Sequence, residues 1–163
     1  MRGTVNSIFL GLAASTVVFF LAAGASAVVP MTADPRDFHS ILGLFQTLLA
    51  CLTHSVVFVY FLGTGRAVKE VIEKQNLDVA ALAVTRRLKA RAFPFAFSSA
   101  LLAVAVAILG GAASRASGFV PWHAGLAIGS LAFNLLSFVR EYGAIRDNQK
   151  LLSQVYDTLR GHQ

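Results

Sequence analysis

Four stretches of this chain hold an apolar run on the order of 20 residues, the length a helix needs at 1.5 Å rise per residue to cross about 30 Å of hydrocarbon. They cover residues 5–29, 38–62, 94–113 and 120–139. A chain of 163 residues with 56% hydrophobic and 13% charged residues, and a mean hydropathy of +0.66, is too apolar for an ordinary water-soluble domain. The pattern predicts an all-α integral membrane protein built as a four-transmembrane-helix bundle. Arg2, the apolar stretch behind it and Ala25-Ser26-Ala27 imitate a cleavable secretory signal. The run to Pro30 is long for a signal core of about 7–15 residues, so it is read as a retained first span.

Charge orients the bundle. The connection 63–93 holds Arg66, Lys69, Lys74, Arg86, Arg87, Lys89 and Arg91, and Arg140, Arg146, Lys150 and Arg160 follow the fourth run. With Arg2, 12 of the 14 basic residues fall on one side of a four-span arrangement, against Arg36 and Arg115 on the other. The positive-inside rule then places both termini and the long loop in the cytoplasm, and a bacterial inner membrane is the expected location. The same partition explains the net charge of +6 without nucleic acid, since the basic residues lie between apolar runs and not on a polar surface among aromatics.

The other connections are short. Pro30 to Asp37 contains the prolines and aspartates that end one helix and begin another, and residues 114–119 form a second external turn before Pro121 and Trp122. The long loop reads as a cytoplasmic helical hairpin, from the pattern of Val68, Val71 and Ile72, an interruption at Asn76-Leu77-Asp78, and a second helix capped by Asp78 and ending at Arg91 before Pro94. Such a hairpin is expected along the membrane surface. Ile145, Asn148, Leu152, Val155 and Leu159 keep a 3-4 spacing that carries the fourth helix into the cytoplasm over 140–161. This seam suits the loop hairpin and a second copy of the chain equally.

At 100° per residue, His123, Ala127, Ser130, Asn134, Ser137 and Glu141 share one face of the fourth span. Unpaired amide and carboxyl groups are costly in hydrocarbon, so the stripe should face inward. On the second span His54 shares a face with Ser40, Gly43, Thr47, Ala50 and Cys51. Counted from the external ends, His54 and Asn134 reach a common depth, and His39 and His123 share the outer boundary. Two layers of imidazole follow.

Three roles compete for these residues. In the first, Thr47, His54, Ser130, Asn134, Ser137 and Glu141 form a polar seam, with interhelical hydrogen bonds each worth about 0.6–2 kcal/mol, in a non-catalytic membrane subunit or homo-oligomeric scaffold. In the second, His39, His54 and His123 bind b-type haem, or border a quinone pocket, in an electron-transfer subunit. In the third, the stripe from His123 to Glu141 conducts ions or protons. For Glu141 an ion pair with Arg66 or Lys69 is the simpler expectation.

No HExxH, GxSxG, Walker A or CxxC pattern occurs, so no catalytic residue and no metal centre is assigned. Cys51 is the only cysteine, which excludes an intrachain disulfide. Arg86, Arg87, Lys89 and Arg91, next to a span, suit anionic lipid headgroups at about 1 kcal/mol per residue. Gly125 and Gly129 form a GxxxG element away from the polar stripe, while Ala96, Ala100, Ala103, Ala107 and Gly111 give the third span a run of small residues. The lipid bilayer, further copies of the chain and other membrane subunits are therefore the expected partners.

Overall fold

The computed structural model describes residues 4–28, 35–75 and 80–161, and they form four long helices with one short turn of 3-10 helix. Helix α1 is Thr4–Ser26, α2 is Pro35–Gln75, α3 is Ala80–Ala113 and α4 is Val120–Gly161; the 3-10 turn Ser117–Phe119 links the last two. All four are long and apolar enough to cross a membrane. They pack in chain order around a ring, α1 on α2, α2 on α3 and α3 on α4, with α4 closing loosely onto α1. The connections at 29–34 and 76–79, with the cap expected from Asp78, lie outside the described residues, as do Arg2 and the side chain of Leu159.

The buried residues on each helix follow helical spacing, which is why four separate runs make one bundle. On α3 the buried line is Thr85, Leu88, Ala92, Ala96, Ser99 and Ala103. It passes Pro94 without a break. A proline inside a helix forfeits one hydrogen bond and crowds the carbonyl four residues back, at a cost of about 3 kcal/mol. Ending the helix there would instead have turned Thr85, Leu88 and Ala92 off the core face, so the expected stop before Pro94 does not occur.

The same continuity holds on α2, where Ala50, Val57, Phe61, Val68 and Ile72 are all buried along one face. The described residues of 63–93 therefore continue the two long helices and do not form separate ones. They are the end of α2 and the beginning of α3, and their buried residues carry the core face beyond the apolar runs. At 1.5 Å per residue, α2 and α4, of 41 and 42 residues, are each about 60 Å long, roughly twice a hydrocarbon core. The 23 residues of α1 reach only the upper part, where Asn6 Nδ2 donates to Gln149 Oε1 at 2.8 Å.

Three helices continue beyond this contact, and the seam of α4 packs on its own chain just before it. Ile145 and Asn148 are fully buried against α2, and Arg91 Nη1 pairs with Asp147 Oδ2 at 3.1 Å. The apolar core lies between this region and the middle of the bundle. Phe9, Val57, Phe61, Ala96, Phe138 and Ile145 pack there, with Phe9 edge-on to Phe138 at 6.2 Å between ring centroids.

Candidate functional site

The inward stripe on α4 places Ser130, Asn134, Ser137 and Glu141 at 0–1% exposure, and His54 on α2 is equally buried opposite them. Asn134 and Glu141 are seven residues apart, two helical turns or about 10 Å along the axis. One imidazole bridges that gap. His54 Nε2 lies 2.9 Å from Asn134 Oδ1, and Nδ1 lies 2.8 Å from Glu141 Oε1.

The amide of Asn134 fixes the proton on Nε2. Its Nδ2 donates to the Ser130 carbonyl at 2.8 Å, so Oδ1 is the atom left facing His54 and must accept. At the other nitrogen a bare lone pair against a bare carboxylate oxygen at 2.8 Å would repel, so a proton sits between Nδ1 and Oε1. Whether it rests on nitrogen or oxygen, the pair carries no net charge. That is the state a low-dielectric interior tolerates. Phe138 stacks on the imidazole at 5.3 Å between centroids and 14° between planes, closing one face. Glu141 Oε2 is buried with no hydrogen-bond partner among the described residues.

The expected partnership of Glu141 with Arg66 or Lys69 is replaced by this pair. Arg66 and Lys69 instead hold Glu70 and Glu73 one turn along α2, at 2.9 and 3.5 Å. The rest of the seam is fastened in the same interhelical way. Ser99 Oγ donates to Ser137 Oγ at 2.8 Å, and Thr16 and Thr53 share a hydrogen bond of 2.9 Å. Thr47 leans on the Gly43 carbonyl at 2.9 Å, with Ala103 O at 3.5 Å. A turn or two below Glu141, Asn148 Nδ2 donates to Tyr60 Oη at 3.1 Å and Thr64 Oγ1 at 3.0 Å.

The outer layer is built differently. His39 of α2 and His123 of α4 meet edge to face at 6.0 Å between centroids. His39 Nδ1 donates to the Ala23 carbonyl at 2.9 Å, with Ser26 Oγ at 3.2 Å, and His123 Nδ1 donates to the Val106 carbonyl at 3.2 Å. Both rings line a cavity of about 930 Å³ between the ends of the four helices, walled mainly by apolar side chains. Gly110 is part of its wall, and a Cβ there would come within 3.0 Å of His123 Cε1. His54 lies outside this cavity.

Gly125 and Gly129 stand on the outer surface of α4, with nothing within 4 Å of a Cβ at either position. Of the basic residues considered for lipid headgroups, Arg86 and Arg87 are exposed, Arg91 is paired with Asp147, and the Lys89 side chain lies over Gly65. Among the described residues no three His, Cys, Asp or Glu side chains converge as a metal site would require. Cys51 is a free thiol, half-buried.

Sequence spacing indicated the meeting of His54 with Asn134 but not the role of Glu141. The 134-141-148 heptad was the available signal, because all three face the same helix. Comparison with protein-family models, curated proteins and solved structures gave no match for this chain.

Proposed function

We propose that the chain is a multi-pass membrane protein with a non-catalytic role, a subunit or homo-oligomeric scaffold whose polar interior fixes helix register and whose apolar exterior meets lipid and partner helices. The observation that carries this reading is the full engagement of His54. With one nitrogen on Glu141 and the other on Asn134, it joins α2 to α4 and keeps no lone pair for a haem iron or a substrate. A buried hydrogen-bonded pair that joins two helices is one means of fixing their register.

Orientation in this reading follows the charges. The basic ends of α2, α3 and α4 lie in the cytoplasm, with both termini, in a bacterial inner membrane. Arg86 and Arg87 then face the anionic headgroups of the inner leaflet. Assembly is supported on the outer half of α4, where Gly125 and Gly129 leave backbone open beside Trp122 and Ile128, 71% and 72% exposed. Native mass in detergent tests it. An oligomer that Gly129→Leu dissociates is the expected result, and a monomer with and without the substitution would defeat the assembly.

One observation favours conduction, the Glu141 Oε2 that has no partner among the described residues of the seam. Proton flux in liposomes separates the two readings. The scaffold reading expects no flux above protein-free vesicles, whereas flux abolished by His54→Ala or Glu141→Ala would replace it.

A further inference from the structure

The outer histidines carry a second inference, because their hydrogen bonds fix which nitrogen each presents. A backbone carbonyl can only accept, so the Ala23 and Val106 carbonyls require protons on Nδ1 of His39 and His123. The Ser26 hydroxyl agrees with this, since it donates to Ala23 O at 2.7 Å and offers His39 only its lone pairs. In the neutral ring the other nitrogen is then a bare acceptor. Neither Nε2 has a partner among the described residues, and neither is among the polar atoms buried without one. Both are therefore reached from the space they line.

That space has the size and character of a small-molecule site. About 930 Å³ lies within the range of organic ligand pockets, roughly 300–1,000 Å³, and far exceeds the needs of a metal ion. Phe20, Leu21, Ile128 and Leu131 supply apolar wall. Gly110 sits where a larger residue would push against His123, so the ring position and the volume depend on the same missing side chain.

We infer that this cavity binds an apolar hydroxy-aromatic molecule, a phenol or a hydroquinone in class, whose hydroxyl donates to Nε2 of His39 or His123. The two ring acceptors favour a ligand that brings a donor over the same skeleton without one, because a buried acceptor left without a hydrogen is costly; Ser40, Arg115 and Ser117 also line the cavity and can donate to a ligand oxygen. The site lies within one chain, so it stands or falls separately from the assembly reading.

Isothermal titration of the purified full chain in detergent tests it with two probes: a short-chain alkyl hydroquinone and its dimethyl ether. The hydroquinone is expected to bind at least tenfold more tightly than the ether, in which a methyl group replaces each donor hydrogen. His39→Phe together with His123→Phe should erase that difference. Ala127→Trp, which fills the cavity and spares both rings, should abolish binding with thermal unfolding unchanged. Equal affinity for hydroquinone and ether, no binding of the hydroquinone, or a preference that survives loss of both imidazoles would each overturn the inference.

Discussion

Nδ1 of His54 lies 2.8 Å from Oε1 of Glu141, and both side chains are fully buried. The two residues are 87 positions apart in sequence and hold α2 and α4 in one register. Removing one member of such a pair strands the other, which costs about 3–5 kcal/mol in buried settings, whereas replacing both with apolar groups is often neutral. Glu141→Leu and His54→Leu are each expected to lower stability by several kcal/mol, with the double variant nearer the parent than either. Reversible unfolding in mixed detergent measures the cycle. Losses that simply add would mean that the pair is uncoupled.

Asn148 should respond differently. Its Nδ2 reaches Tyr60 and Thr64, but its Oδ1 is buried with no partner among the described residues. Thr64 donates to the Tyr60 carbonyl at 2.8 Å, and Tyr60 Oη lies 3.5 Å from the Ile145 carbonyl, so both hydroxyls keep acceptors without Asn148. Asn148→Leu is thus expected to change stability by about 1 kcal/mol or less, since a half-satisfied amide contributes little net. A loss matching that of Glu141→Leu in the same unfolding assay would contradict this.

Glycines on these helices divide by what surrounds them. A Cβ on Gly11 meets nothing within 4 Å, so Gly11→Ala should stabilise α1 by up to about 1 kcal/mol through helix propensity alone. At Gly110 the same methyl presses on His123 Cε1 at 3.0 Å and should loosen its bond to the Val106 carbonyl. Thermal melting compares the two, and a higher melting temperature for Gly110→Ala than for Gly11→Ala would show that His123 yields freely.

The proposed orientation is testable in cells. In a Cys51→Ala background, Arg115→Cys is expected to react with a membrane-impermeant maleimide on intact cells. Lys74→Cys should react only after permeabilisation. The reverse pattern would invert every statement here about sidedness.

The helix faces were legible in the sequence because a 100° stripe leaves one arrangement that hides amides and carboxyls together. Ser130, Asn134, Ser137 and Glu141 are buried as that stripe requires. Helix length was less legible. Basic residues after Leu62 suggested a change of structure, yet Val68 and Ile72 continue the buried face of α2, and charge on the other faces does not interrupt a helix. Pro94 misled for a related reason, since a single lost hydrogen bond weighs less than a whole buried line. The partner of Glu141 was obscured by the nearness of Arg66 in a two-dimensional count. Rise along the helix separates them: Arg66 is 12 residues past His54, about 18 Å further down α2.

The unbroken run of α2 also has a mechanical consequence. From His39 to Lys74 it is one rod, with Gln75 as its last helical residue. A turn imposed at its tip reaches the rim of the outer cavity and the imidazole clamped by Glu141 as a single rotation, since no hinge lies between to absorb torque.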